Sequence, residues 1–257
     1  MRELLEFMFR VAPGGWRITM VTRGVGPSDT DHLFGRPFGR RETGIAVPAR
    51  SSGAMNPSLR DLLSQFQEIG REAQQLAQGI SDRQFNWRPR SGCWSIAECL
   101  GHLNIVGSET LEVVDAAIAE ARGRGWYTNE VLRVRLVGRG LLRATEPPVR
   151  RRRRARDRHV PPADQAVNVA LPALVDLIDQ LTTRVQAANG LDLSKPRVSA
   201  PVASLFRISP FELLLLFAAH GRRHLEQARK VKSEAGLPKS AAAPEPGRPA
   251  SSARPPR

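Results

Sequence analysis

Four stretches of this chain space their apolar residues by three and four, and no stretch sustains an alternation of two, so its core has to be assembled from helices. After Pro57 the positions Leu59, Leu62, Leu63, Phe66, Ile69, Ala73 and Leu76 trace one helical face, with Gly79 as a stop: an amphipathic helix of about six turns. A second helix opens at Ser95 with Glu98 three residues on, a capping box, and runs to about residue 122 before Gly123 and Gly125. A third fits 171–188, with Pro172 in its first turn, a stripe of Leu174, Val175, Ile178 and Leu181, and Gly190 at its end. The fourth has Ser209 as cap, Pro210 in the first turn and Glu212 completing another capping box, and runs to about residue 234, ahead of Gly236 and Pro238. Four long helices without a convincing strand imply an all-α fold, a helical bundle. Residues 126–146, with Gly138 and Gly140, stay open between a short helix and a packed loop.

Residues 1–54 have no sustained period and are expected to be a disordered extension. Because the pattern begins abruptly at Met55-Asn56-Pro57, translation is expected to start at Met55; a peptide from upstream in the native protein would refute this. Residues 237–257 form a Pro/Ala/Ser/Arg tail with too few large apolar residues to fold. The expected domain is therefore 55–236, carrying an Arg-rich connection at 147–164. Twelve of the fourteen net positive charges lie in 1–54, 150–158 and 237–257, so the overall charge does not describe a face of the domain.

The arginine run 150–154, followed by Arg156 and Arg158, is read as solvated. A weak polyanion or acidic-membrane contact is the alternative, but nucleic acid is disfavoured because no recognised binding motif accompanies the run. An aromatic content of 5% also argues against a stacking platform for single strands. Cys93 and Cys99 are too few for a disulfide framework or a thiolate zinc site, which suits a reducing compartment. Arg10, Gly14, Gly15 and Arg17 break up any signal-like apolar run, and no stretch reaches the ~20 apolar residues of a membrane span. A cytoplasmic protein is expected, and a homodimer is compatible with it.

The chain has five histidines. His32, in the unpatterned N-terminal stretch, and His159, after the arginines, are read as exposed bystanders. His220 and His224 are four apart and share a face with Leu213, Phe217, Gln227, Ala228 and Val231, so both point to the core. Two adjacent buried imidazoles satisfy each other poorly when neutral and repel when charged; a divalent metal removes the conflict. His102, near Cys99, Ile105 and Val106, lies close to the apolar stripe of the second helix, and three imidazoles would leave a coordination position open. Binding through neutral imidazoles is expected to weaken below about pH 6, near the ordinary imidazole pKa of ~6.5. A metalloprotease is excluded because Gly221 stands where His-Glu-x-x-His needs its glutamate. Glu98, one turn before His102, is a candidate general base, fourth ligand or hydrogen-bond acceptor, although its capping box explains it without chemistry. Cys99 is either a soft ligand or a small core residue. Trp87 and Trp94 either pack the start of the second helix or line a pocket mouth.

Asn86-Trp87-Arg88-Pro89, the run Gly92-Cys93-Trp94-Ser95-Ile96-Ala97-Glu98-Cys99-Leu100-Gly101-His102-Leu103-Asn104, and His220-Gly221-Arg222-Arg223-His224-Leu225-Glu226-Gln227-Ala228 resemble the DinB-like superfamily. The similarity spans about 55–238. It implies an up-down-down-up four-helix bundle with a divalent-metal site made by one histidine of the second helix and two of the fourth, which here are His102, His220 and His224. Relatives with known activity include transferases and isomerases dependent on bacillithiol, mycothiol or similar thiols, in which the metal holds a thiolate. Relatives often carry Glu after the first histidine of the pair; Gly221 departs from this. The expected function is therefore metal-dependent, with zinc or nickel as cofactor and a small-molecule thiol or other small substrate as partner: a thiol S-transferase or a small-molecule hydrolase. The alternative is a non-catalytic bundle that binds a ligand or partner, its metal closed off by a fourth protein ligand such as Glu98.

Overall fold

The computed structural model describes residues 54–148, 154–201 and 203–239, all within the unit Ser52–Arg257. The expected extension through residue 53, His32, the arginines at 150–153 and the tail from 240 onward lie outside the described residues.

Helix starts follow their local chemistry. Pro57 opens α1 (Pro57–Ala77), where a missing N–H costs nothing, and the Asn56 side chain accepts from Ser58 N at 3.0 Å. The one-turn α2 (Asp82–Phe85) carries a capping box of its own, Ser81 with Gln84. Both boxes expected from sequence are formed, Ser95 with Glu98 at α3 (Ile96–Gly123) and Ser209 with Glu212 at α6 (Pro210–Lys232). Residues 126–146 resolve as an extended segment leading into α4 (Leu136–Thr145), and a 3-10 turn at Asp157–His159 precedes α5 (Val167–Ala187).

Two expectations are corrected. The third long helix begins at Val167, not 171, so Pro172 lies inside it. The cap that permits this is remote: Asp82 Oδ1 accepts from Val167 N at 2.8 Å, while Pro172 is exposed, where one missing ladder bond is cheap. The expectation of no strand also fails, because β1 (Val198–Ala200) and β2 (Ala203–Ile208) form an antiparallel hairpin with a bulge between Ser199 and Ala200. Its strands are short, and Leu205 is 91% exposed, so no buried alternation marks it in the sequence.

The long helices pack so that α1 touches α5 and α6, and α3 touches the same two. Their buried residues form one mainly aliphatic core, to which Phe66 and Phe217 add an edge-to-face pair at 6.2 Å. At Gly107 of α3 a Cβ would run into Leu177 of α5 and come to 3.0 Å from Phe217 of α6, so only glycine admits this approach.

Glu212 ties α4 and the hairpin to α6. Its carboxylate accepts from Ser209 N at 2.7 Å and from Arg135 N at 2.6 Å, and lies 3.7 Å from the Arg197 guanidinium. Gly138 sits directly over it; a Cβ there would fall 2.5 Å from Oε1. Replacing Glu212 by alanine orphans a buried backbone donor at Ser209 and a part-buried one at Arg135, and urea unfolding is expected to show a loss of about 2–3 kcal/mol. A loss below about 0.5 kcal/mol would contradict this role.

Candidate metal centre

His102 is the seventh residue of α3 and faces α6, where Phe217, His220 and His224 continue one stripe. All three imidazoles are buried, at 3%, 9% and 7% exposure. Their ring centroids are 5.0 Å apart for His102 and His220, 4.7 Å for His102 and His224, and 4.5 Å for His220 and His224, with steeply inclined planes. One ligand atom from each lies within 4.8 Å of the other two.

The hydrogen bonds leave one buried nitrogen of this cluster without a partner. His102 Nδ1 donates to the His159 carbonyl at 2.7 Å; because a carbonyl only accepts, neutral His102 has a lone pair at Nε2. That Nε2 faces His220 Nε2 at 3.0 Å, and His224 Nδ1 is buried without a hydrogen-bond partner. An orphaned nitrogen and two opposed Nε2 atoms in a site of neutral imidazoles fit a borderline divalent cation, whose tetrahedral ligands at 2.0–2.1 Å would stand roughly 3.4 Å apart.

Burial depresses all three imidazoles, because a charged ring here loses its hydration. For His102, burial is the main cause, opposed by the bond to the His159 carbonyl and aided by the charges of His159 and Arg223. His220 is pushed down to about 3 by burial, then by His102, Arg223 and His159. His224 falls well below the ordinary value through burial, then His220, His102 and Arg223, with the Gln227 side chain opposing. All three are therefore neutral and ready to ligate at neutral pH, and proton competition is displaced to lower pH than the ordinary imidazole value suggests.

Around the rings, Trp94 stacks on His224 at 5.6 Å and meets His102 edge-on at 4.9 Å, so it lines the cluster directly, whereas Trp87 packs against the core. Glu98 is placed elsewhere: its two oxygens take Arg88 Nε and Nη2 at 2.8 and 2.6 Å, and Oε2 also takes Ser95 N at 2.9 Å. Cys99 is fully buried in the core, with its thiol pKa pushed up by burial. Gly221 faces α1, where a Cβ would come 3.0 Å from Ile69 Cδ1; the position that often carries glutamate in relatives here looks into a helix–helix contact.

The reading of His159 as an exposed bystander is overturned. Its ring is 2% exposed, with Nε2 lying 3.1 and 3.0 Å from the two Glu109 oxygens and 3.1 Å from Arg158 Nε, while its carbonyl holds His102. Sequence reasoning missed it because the preceding arginines suggested solvent. The available signal was Glu109, seven residues after His102 and so on the same face of its helix. Arg158, read as part of a solvated run, pairs with Glu109 at 3.6 Å.

No described helix is long and apolar enough to cross a membrane. A sequence model described as the DinB superfamily matches residues 65–228. No curated protein and no solved structure matches the chain.

Proposed function

Because the chain belongs to the DinB superfamily, we propose that His102, His220 and His224 hold a divalent metal ion, zinc or nickel, and that the site activates a small-molecule thiol, or water, as a nucleophile. The up-down-down-up running order implied by the resemblance is part of this proposal. The observation that carries it is the convergence of three neutral, buried imidazoles from α3 and α6 while Glu98 is held by Arg88 and Ser95. Among the described residues the group has three protein ligands, which supports an open fourth position and a catalytic site over a closed structural one. The chemistry such an ion supplies when bound is a lowered pKa for the thiol or water beside it.

The chain's own residues supply the remainder. The imidazoles stay neutral through burial, Trp94 shields His224 from solvent, and the Arg223 charge, which acts on all three rings, favours negative charge developing at the same place. In S-transfer the thiolate sulfur would form a bond to an electrophilic carbon as that carbon's leaving group departs with its electron pair.

The test is a screen of low-molecular-weight thiols against electrophilic acceptors, comparing metal-loaded with chelator-stripped protein. Thiol consumption confined to the loaded protein is expected. Equal rates in both samples would remove the transferase reading, and saturable thiol binding without turnover would favour the non-catalytic alternative.

A further inference from the structure

The chain between the arginine run and α5 crosses α3 at the level of His102. Gly101, the residue before His102, is where the two touch: a Cβ there would lie 2.6 Å from both polar atoms of the Gln165 side-chain amide and 2.9 Å from Pro161 Cβ. Two attachments hold the crossing. At one end, the His159 ring meets Glu109 through Nε2, two turns further along the same face of α3, and Arg158 closes on the same ring nitrogen and carboxylate. At the other, Gln165 Nε2 donates to the Ala97 carbonyl of α3, while Asn86 exchanges two bonds with the Gln165 backbone, at 2.8 and 3.0 Å. Between them the His159 carbonyl rests 2.7 Å from His102 Nδ1.

We propose that this 157–165 segment is a positioning strap, with His159 its positioning residue: seated on Gly101 and latched to Glu109, it fixes the tautomer and ring orientation of His102 so that Nε2 is presented to the metal. The inference rests on the metal reading above. The His159 side chain ligates nothing; it acts by placing its own carbonyl, and the carbonyl acts by holding a proton on Nδ1. Glu109 and Gly101 act one step further out.

The experiment has two arms, both on the full chain. In the first, zinc and nickel affinities are measured by competition with a chromophoric chelator for the wild type, Gly101→Ala, Glu109→Ala, His159→Ala and His159→Gln. Loss of a partner that orients a ligand histidine weakens metal binding about 10–100-fold. That loss is expected for the three alanine variants, with His159→Gln recovering affinity because its amide can donate to Glu109. In the second arm, a long-range 1H–15N spectrum of the metal-free protein reports the His102 tautomer: a proton on Nδ1 in the wild type, and a mixed or reversed tautomer in Gly101→Ala and His159→Ala. A merely structural strap would lower the melting temperature of these variants without moving either readout.

Affinities within twofold of wild type for all the alanine variants, or an unprotonated Nδ1 in the wild type, would overturn the inference. Should the wild type bind neither zinc nor nickel, the metal reading fails, and the second arm alone decides whether the strap sets the His102 tautomer.

Discussion

The triple variant His102→Ala, His220→Ala, His224→Ala is expected to purify without metal and to gain no thermal stability from added zinc or nickel, while the wild type carries about one ion per chain and is stabilised by it. The three rings are the members of the only group of candidate ligands found among the described residues, so their removal leaves no second set of imidazoles to retain the ion. An ion that binds the folded state alone stabilises it by about 4 kcal/mol at a free concentration a thousand times its Kd. For a chain of this size that amounts to a melting-temperature rise of roughly 8–16 °C. Elemental analysis and a melt with and without metal check both halves. Equal metal in wild type and variant would place the ion elsewhere and end the three-histidine reading.

How much of this site was legible in sequence depends on how far each partner lies along the chain. Helices α3 and α6 announce themselves because their caps are three residues long, Ser95 to Glu98 and Ser209 to Glu212, and the i, i+4 spacing of His220 and His224 on an apolar stripe already turns both rings inward. Placing His102 opposite them took the apolar setting of its own helix together with the family resemblance. The rest was illegible because it is long-range. The start of α5 depends on Asp82, 85 residues away in sequence; the burial of His159 depends on Glu109, 50 residues away; and the Arg88 guanidinium that holds Glu98 reaches across a turn. A histidine after a run of arginines has the local signature of a solvated residue, and only the tertiary crossing over Gly101 reverses it. Gly221 is the opposite case: its departure from the common glutamate was plain in sequence, but the contact with Ile69 supplies a packing reason for it.

Acid is expected to unfold the metal-free wild type through these same rings. An imidazole whose folded pKa lies below its ordinary value of ~6.5 takes up a proton more readily in the unfolded chain, so stability is complete above about pH 6.5 and declines as the pH falls toward the folded values, about 3 for His220. Each imidazole that stays neutral in the folded state and charges on unfolding contributes a slope approaching 1.4 kcal/mol per pH unit, and His102, His220 and His224 all shift in this direction. Stability should therefore fall as the pH is lowered from 7 to 5, each ring that stays neutral in the folded chain adding to the slope. Saturating metal binds the neutral rings of the folded state alone and should shift the acid transition to lower pH. In the triple alanine variant the cavities lower stability at every pH, but the slope across pH 7 to 5 should flatten because the groups that generate it are gone. Urea unfolding at half-unit pH steps reads the slope directly, and parallel curves for wild type and variant would show that these imidazoles titrate alike in the folded and unfolded chains.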